Sequence, residues 1–239
     1  MWLLSNKVLV SESGLMEGFC DCHCHVLPGV DDGVQATEEA VQILTVWGTL
    51  GVKAVWLTPH IMEDIPNRQE KLREKLECLT AEYAGGVQLH LAAEHMMDGM
   101  FLRRLEENDV MPIGREGSRL LVETSYYTPP MNMADVIERV KRKGYEPILA
   151  HPERYQYMDR QDYCRWKDRG VLLQLNIPSL AGAYGLEVQR KAEWLLKEGM
   201  YDYCGTDTHS IEQMEYFLNS EISKKVVKRV KQVAERQSL

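Results

Sequence analysis

Two histidines and a run of carboxylates crowd residues 20–33, which read Cys-Asp-Cys-His-Cys-His-Val-Leu-Pro-Gly-Val-Asp-Asp-Gly. On a strand, residues i and i+2 project from one face, so His23 and His25 can meet the same ion. Asp31 and Asp32 follow the Pro28-Gly29 turn, and alternation alone leaves open which of them turns inward. Asp207-Thr208-His209 repeats the i, i+2 spacing near the far end of the chain, with Thr58-Pro59-His60, Glu94, Glu123 and His151-Pro152 between. Mixed imidazole and carboxylate donors suit Zn, Mn or Fe(II) better than Ca or Mg. So many donors imply more than one ion, and a carboxylate such as Glu94 can bridge two. Ions a few ångströms apart can generate hydroxide at neutral pH and clamp the attacking and leaving oxygens of a phosphoryl transfer.

The cysteines invite other chemistry. Alternation puts Cys20, Cys22 and Cys24 on the face opposite His23, where they are expected to pack as small apolar groups. A zinc knot on Cys22 and Cys24 needs a second Cys/His pair at finger spacing, and the chain has none. A cysteine nucleophile with a Cys-x5-Arg loop is excluded, because the residues six beyond the cysteines are Val26, Pro28, Val30, Ala84, Gly170 and Ser210.

Something must hold these donors together. Short β runs over 19–23, 52–58, 87–92, 119–124, 147–150, 171–176 and 202–204 alternate with helical stretches over 37–50, 67–83, 99–107, 133–143, 160–169 and 185–198. Thr37 is expected to cap the first helix, and Asn67 with Glu70 to form a capping box on the second. Gly51, Gly144, Gly170 and Gly199 stand where helices should stop. The alternation implies an α/β fold on a parallel sheet. Its pace in a single domain points to a distorted (β/α)7 TIM-like barrel, with an open doubly wound sheet as the runner-up. His25, His60, Glu94, Glu123, His151, Asp207 and His209 all fall at the carboxyl ends of these strands, the rim on which such barrels build their sites.

Composition sets the outer bounds. The chain has 239 residues, 44% of them hydrophobic and 27% charged, with a net charge of −8. That balance argues against a nucleic-acid binder. The basic stretch 224–231 carries Val226, Val227 and Val230 at helical spacing, so it is expected to be a terminal helix with a solvated basic face. No apolar run is long enough to cross a bilayer, and residues 1–10 carry no secretory signal. A cytoplasmic location with reduced thiols is expected. Residues 1–18 hold no motif and are expected to be an extension, with Met16 a candidate start, ahead of a domain over 19–239.

At this point the sequence resembles a known family. His23-x-His25, His60, Glu94, Glu123, His151 and Asp207-x-His209 look like the metal motifs of the polymerase and histidinol phosphatase (PHP) superfamily. The runs 23–33 and 58–60, with His151-Pro152-Glu153-Arg154-Tyr155, Gln174-Leu175-Asn176 and Ser179-Leu180-x-Gly182-x-Tyr184-Gly185, are similar to the bacterial protein-tyrosine phosphatases of capsule and exopolysaccharide operons. The resemblance implies two or three divalent ions, manganese first, with iron or zinc as alternatives. It implies that His23, His25, Glu94 and Asp207 hold one ion, Glu94, Glu123 and His151 a second, and Asp32, His60 and His209 a third. Arg154 would grip the substrate phosphate, and His151 and Arg154 would be the catalytic residues. The partner would be a tyrosine-phosphorylated bacterial kinase. A small-molecule phosphoesterase acting on histidinol phosphate is the alternative activity, and a metal-holding scaffold without turnover the non-enzymatic one. One departure is visible: many members of the family it resembles carry a second arginine shortly after D-x-H, whereas Ser210-Ile211-Glu212-Gln213-Met214-Glu215 has none.

Other residues have plainer readings. His95 adjoins Glu94 with opposite parity and should be structural. His90 should be a core or hydrogen-bonded histidine. Tyr126 and Tyr127 can line a phosphotyrosine pocket by stacking, or anchor their own loop. Tyr155 and Tyr157 are expected to pack. Glu153 can either pair with Arg154 or face solvent.

Overall fold

The computed structural model describes residues 6–237. The strands are β1 (Lys7–Leu9), β2 (Cys20–Cys24), β3 (Ala54–Leu57), β4 (His60–Ile61), β5 (Gln88–Leu91), β6 (Glu94–Met96), β7 (Arg119–Glu123), β8 (Glu146–Ala150), β9 (Leu172–Asn176), β10 (Tyr203–Gly205) and β11 (Glu221–Ser223). The helices are α1 (Thr37–Thr49), α2 (Gln69–Glu82), α3 (Gly99–Glu107), α4 (Met133–Arg142), α5 (Arg160–Asp168), α6 (Ile177–Leu180), α7 (Leu186–Lys197), α8 (Ile211–Leu218) and α9 (Lys224–Arg236). The expected strands and helices are present within a few residues of their limits. Among the described residues, no helix is long and apolar enough to cross a membrane.

The result is a mixed α/β fold around a curled parallel sheet. One sheet runs β10-β9-β8-β7-β6-β4 and another β2-β3-β5. Only Thr58-Pro59 separates β3 from β4, and Ala92-Ala93 separates β5 from β6. The expected strands 52–58 and 87–92 therefore stop short and resume in new pairings, at a proline that cannot donate to a ladder. The resumed strands carry His60 opposite Glu94. At the other edge β10 meets β2 through the Cys24–Thr208 bridge, with His25 N–H donating to Thr208 O and Asp207 N–H to His23 O.

Lower on this seam a side chain does the pairing. Gln237 donates from Nε2 to Cys20 O at 2.5 Å and accepts Cys204 N–H on Oε1 at 3.1 Å. Its carboxamide stands in for the peptide a regular ladder would put there. Gln237→Ala should lower unfolding free energy by about 1–3 kcal/mol, since it strands the buried Cys204 N–H; urea titration reads this directly.

Alternate residues of the strands feed two apolar clusters. Val55, Leu57, Leu120, Val122, Leu149, Leu173 and Leu175 join the main core with the helices, including Ile43, Leu44 and Trp47 of α1. Trp56, Leu121, Ile148 and Tyr203 form a smaller inner cluster. Cys24 joins the first and Cys22 the second, so the cysteines do not share one face as expected. The cause is a register shift between Asp21 and Cys24, which breaks the alternation and lets adjacent Cys22 and His23 both serve the inner side.

Local signals read correctly in part. The four helix-stopping glycines all have positive φ. Thr37 lies inside α1, whose cap position is Ala36. Asn67 does not cap α2 either. Its amide instead donates to Val30 O and His60 O, tying the residue 30 loop to β4. Of the expected extension 1–18, residues 1–5 lie outside the described residues. Beyond them, β1 pairs antiparallel with β11, and Val10, Leu15 and Met16 are buried in the main core. α9 buries Val227, Val230 and Val233 and leaves Lys224, Lys225 and Lys228 in solvent, as expected.

Candidate metal centre

The residues expected at strand ends converge. Four groups of donor atoms, each lying within 4.8 Å of one another, are His23/His25/Asp207, His23/Glu94/His151, His60/Glu94/Glu123 and His25/Asp32/His60/His209. Every residue in the expected ligand set belongs to at least one. Apart from Asp32 and the partly covered His209 they are all buried.

The second layer decides what these donors can do. His23 Nδ1 lies 3.1 Å from Gln174 Oε1, and His25 Nδ1 lies 2.8 Å from Asp31 Oδ2. Both partners are acceptors, so both Nδ1 atoms carry the proton and both Nε2 atoms turn inward. The two Nε2 atoms are 3.1 Å apart. Each also lies 3.2–3.4 Å from Glu94 Oε2 and Asp207 Oδ1. Four electron-rich atoms face one point at spacings that a cation with bonds of about 2.1 Å would span. Around the next point, His60 Nδ1 and Glu123 Oε1 sit 3.0 Å apart yet out of hydrogen-bond alignment, and each is left buried without a partner. Orphaned donors of this kind fit divalent ions. Asp31 thus stands behind His25, where it also accepts His60 N–H, and Asp32 is the carboxylate that faces His60 and His209.

Electrostatics agree with a site built around positive charge. Burial pushes the His23 imidazole down, but Glu94 and Asp207 outweigh it and hold the group up at about 9. Against the same burial, Asp207, Asp31 and Glu94 raise His25 well above the usual range. Burial and the nearby His25 push His209 down to about 4. For Asp31, burial is outweighed by His25 and the His60 N–H, and the carboxyl falls to about 2.

The backbone is shaped for the same purpose. His151 and Asp207 have φ of 32° and 52°, a left-handed region that non-glycine residues enter in only a few per cent of cases, Asn, Asp and His most often among them. Gly205 lets β10 approach β2, because a Cβ there would lie 2.7 Å from His23 Cβ. At the lip, Arg154 donates from Nη1 to Asp207 Oδ2 at 2.7 Å. Its guanidinium sits between the rings of Tyr126 and Tyr184, at 4.4 and 4.3 Å from their centroids. Tyr127 is 70% exposed on the adjoining loop.

The neighbours sort as follows. His95 is buried and structural: Nδ1 lies 3.3 Å from Leu121 O, while Nε2 accepts Met111 N–H. His90 is only partly covered and stacks on Trp56, so it is not a core histidine. Tyr155 and Tyr157 stack on one another, in agreement with packing roles. Glu153 neither faces solvent nor pairs with Arg154. It is fully buried and accepts Asn176 N–H and Tyr201 O–H, which fastens the His151–Arg154 turn to the end of β9. Three residues went without a role in the sequence reading: Gln174, Asn176, which donates to both Asp207 Oδ2 and Tyr184 Oη, and Tyr184 itself. The available signal was a polar residue at inward parity, 174 and 176, in an otherwise apolar strand.

A curled parallel α/β sheet with histidines and carboxylates gathered at its carboxyl edge defines a class of candidate metallohydrolases. The model of the family described as "Capsular polysaccharide synthesis, CpsB/CapC" matches residues 19–237, and the chain belongs to that family. It is 22% identical over 202 residues to the tyrosine-protein phosphatase YwqE of Bacillus subtilis, covering 82% of this chain and 79% of that one. It is 23% identical over 203 residues to the tyrosine-protein phosphatase CpsB of Streptococcus pneumoniae, covering 80% and 83%. Among solved structures, one described as YwqE and CpsB, "unique metal-dependent tyrosine phosphatases", superposes with a TM-score of 0.76 at 20% identity, over 91% of this chain and 87% of that one.

Proposed function

We propose that this chain is a metal-dependent protein-tyrosine phosphatase. Its substrate is phosphotyrosine on a bacterial tyrosine kinase that controls capsular or exopolysaccharide synthesis. The observation that carries this reading is the placement of Arg154, locked between two tyrosine rings, beside a buried histidine–carboxylate cluster. The family and the named phosphatase relatives support it. The curled sheet is read as a distorted (β/α)7 barrel closed along the β10–β2 seam, one catalytic domain over 19–239 working in the cytoplasm.

His23, His25, Glu94 and Asp207 would hold one ion, Glu94, Glu123 and His151 a second, and Asp32, His60 and His209 a third. The imidazole and carboxylate donors favour manganese, with iron or zinc as alternatives. Such ions would supply Lewis acidity to activate a water at neutral pH and positive charge for the phosphoryl oxygens. The protein's own residues position the substrate. Arg154 presents a planar fork to two phosphate oxygens. Tyr126 and Tyr184 fix its plane in advance, so little freedom is lost on binding. Tyr126 and Tyr127 flank the entry for the substrate's phenyl ring. Asn176 holds Asp207 and Tyr184 in register, and Glu153 holds the turn that carries Arg154.

Phosphate release from a tyrosine-phosphorylated peptide, histidinol phosphate and a nucleotide, with manganese and with a chelator, tests the reading. Turnover of the peptide that the chelator abolishes is expected; turnover confined to histidinol phosphate would overturn it. Arg154→Ala should lower kcat/KM on the peptide by on the order of 10²–10³ with metal content unchanged by elemental analysis. His151→Ala should lose both activity and metal.

A further inference from the structure

Arg154 and Tyr184 have a second side. They form one end of a groove of 730 Å³ that leads away from the metal cluster between the start of α5 and α7. Its volume lies in the range of ligand sites, and its lining runs against the charge of the molecule. The chain carries −8 overall, yet the groove gathers Arg154, Arg160, Arg190 and Lys191 against Asp159 and Glu187 as its solvent-facing acids. Glu153 also borders it but is fully buried and turned to Asn176 and Tyr201. The Asp159 carboxylate is spent on the N–H groups of Gln161 and Asp162 as the cap of α5. Lys191 is likewise engaged, donating to Tyr155 O and Met158 O. Arg160 lies over Trp194 at 4.8 Å, an arrangement that orders a guanidinium without removing its donors. Arg190 is exposed.

The rim adds a second observation. Among the described residues the exposed large hydrophobics are Tyr127, Met131, Leu186 and Tyr216. One such residue means nothing. Leu186 lines the groove itself, Tyr216 of α8 lines a neighbouring pocket that shares Tyr184 with it, and Tyr127 and Met131 lie on the loop that leaves the carboxyl end of β7. An apolar rim beside a cationic trough fits a polypeptide better than a small phosphate ester, which would be covered by the cluster and Arg154 alone.

We propose that the groove between α5 and α7 is a substrate subsite. It receives the residues on one side of the scissile phosphotyrosine and selects acidic side chains among them through Arg160 and Arg190. The proposal rests on the phosphatase reading and names its specificity: a phosphotyrosine in an acidic sequence is a better substrate than the same residue in a basic one. Complementary charge at an open rim acts chiefly on encounter and KM rather than on the chemical step.

The test compares three substrates in the metal-loaded enzyme: a phosphotyrosine peptide with Asp and Glu on both flanks, the same peptide with Lys in those places, and p-nitrophenyl phosphate. Each peptide rate is referred to the p-nitrophenyl phosphate rate of the same variant. Wild type should prefer the acidic peptide by roughly fivefold or more in kcat/KM, as two or three exposed ion pairs allow. R160E/R190E should abolish or invert that ratio, with the change in KM rather than kcat. An unchanged ratio in the double variant, or equal rates for the two peptides in wild type, would overturn the subsite. Failure to hydrolyse p-nitrophenyl phosphate or either peptide would count against the phosphatase reading instead. Fluorescence anisotropy of labelled peptides would then still decide the groove: tighter binding of the acidic peptide, lost in R160E/R190E, supports it, and equal binding sinks it.

Discussion

Glu94→Gln should abolish phosphatase activity by on the order of a thousandfold, while Asp32→Asn should cost only about tenfold. The difference follows from geometry. Glu94 is 1% exposed, and its Oε2 lies 3.2 Å from His23 Nε2, 3.3 Å from His25 Nε2 and 3.2 Å from His60 Nδ1. Its Oε1 lies 3.0 Å from His151 Nε2. The carboxylate therefore belongs to donor sets on both sides of it, and the amide removes charge from both at once. It also offers an N–H where only acceptors fit. Burial would raise this carboxyl, but His23 and the hydrogen bonds from His151 and its neighbours hold it well below the usual range, so at any working pH the wild-type group is an anion. Asp32 differs: its side chain is 65% exposed, 3.5 Å from His60 and 3.7 Å from His209. Water can take the place of an exposed donor. Elemental analysis of both variants separates loss of metal from loss of fold, and circular dichroism should show both folded. Equal losses in the two variants would contradict a central role for Glu94.

The candidate metal-site residues are the most legible part of the chain, because their signal is local. An i, i+2 pair such as His23/His25 needs only a strand to become convergent, and Asp207/His209 needs the same. What could not be read is what depends on contact between distant segments. Gln174 sets the tautomer of His23 across 151 positions, and only the folded chain shows it. Tyr184 meets Arg154 by ring stacking that no spacing encodes. Choosing between Asp31 and Asp32 likewise required the loop after the Pro28-Gly29 turn, where Asp31 folds back onto His25.

The parallel sheet followed from alternation, but its irregularities did not. The register shift in β2 sends Cys22 inward, contrary to simple parity, and does so beside the candidate ligands His23 and His25. The breaks after Leu57 and Leu91 arise where Thr58-Pro59 and Ala92-Ala93 interrupt two strands, and the restart at His60 and Glu94 makes those two residues register partners. Asn67 and Glu70 have capping-box spacing, yet Asn67 is drawn away by two carbonyls of the site. In each case a contact around the candidate site overrode a local preference, and such sites are where local rules are expected to fail.

The metal-free protein should lose stability as pH rises from 6.5 to 8.5, while the metal-loaded protein gains relative to it. The sign follows from His23 and His25. Their Nδ1 protons are committed to Gln174 and Asp31, so any further proton sits at Nε2. With those atoms 3.1 Å apart, two N–H groups cannot face each other, and the pair takes one proton between Glu94 and Asp207. The folded pKa of about 9 for His23 lies above the unfolded value of about 6.5. A raised histidine contributes stability that is complete below the unfolded value and is lost as pH rises through the folded one. Between pH 6.5 and 8.5 that loss is roughly 2–3 kcal/mol, about 1.4 kcal/mol per unit. Buried Cys22, Cys24 and Cys204 are held up by burial, so as unfolded thiols ionise around pH 8.5 they add to the same fall at the top of this window. A divalent ion competes for the same lone pairs, so its binding releases that proton and tightens about tenfold per pH unit over the same range. Thermal unfolding from pH 6 to 9, with a chelator and with manganese, should give diverging curves: falling without metal and flat or rising with it. Glu94→Gln removes a carboxylate that raises His23, so the chelated variant should show a shallower fall. A chelated wild-type protein whose melting temperature stayed level or rose from pH 6.5 to 8.5 would mean that the two imidazoles do not hold a proton where the ion is expected to sit.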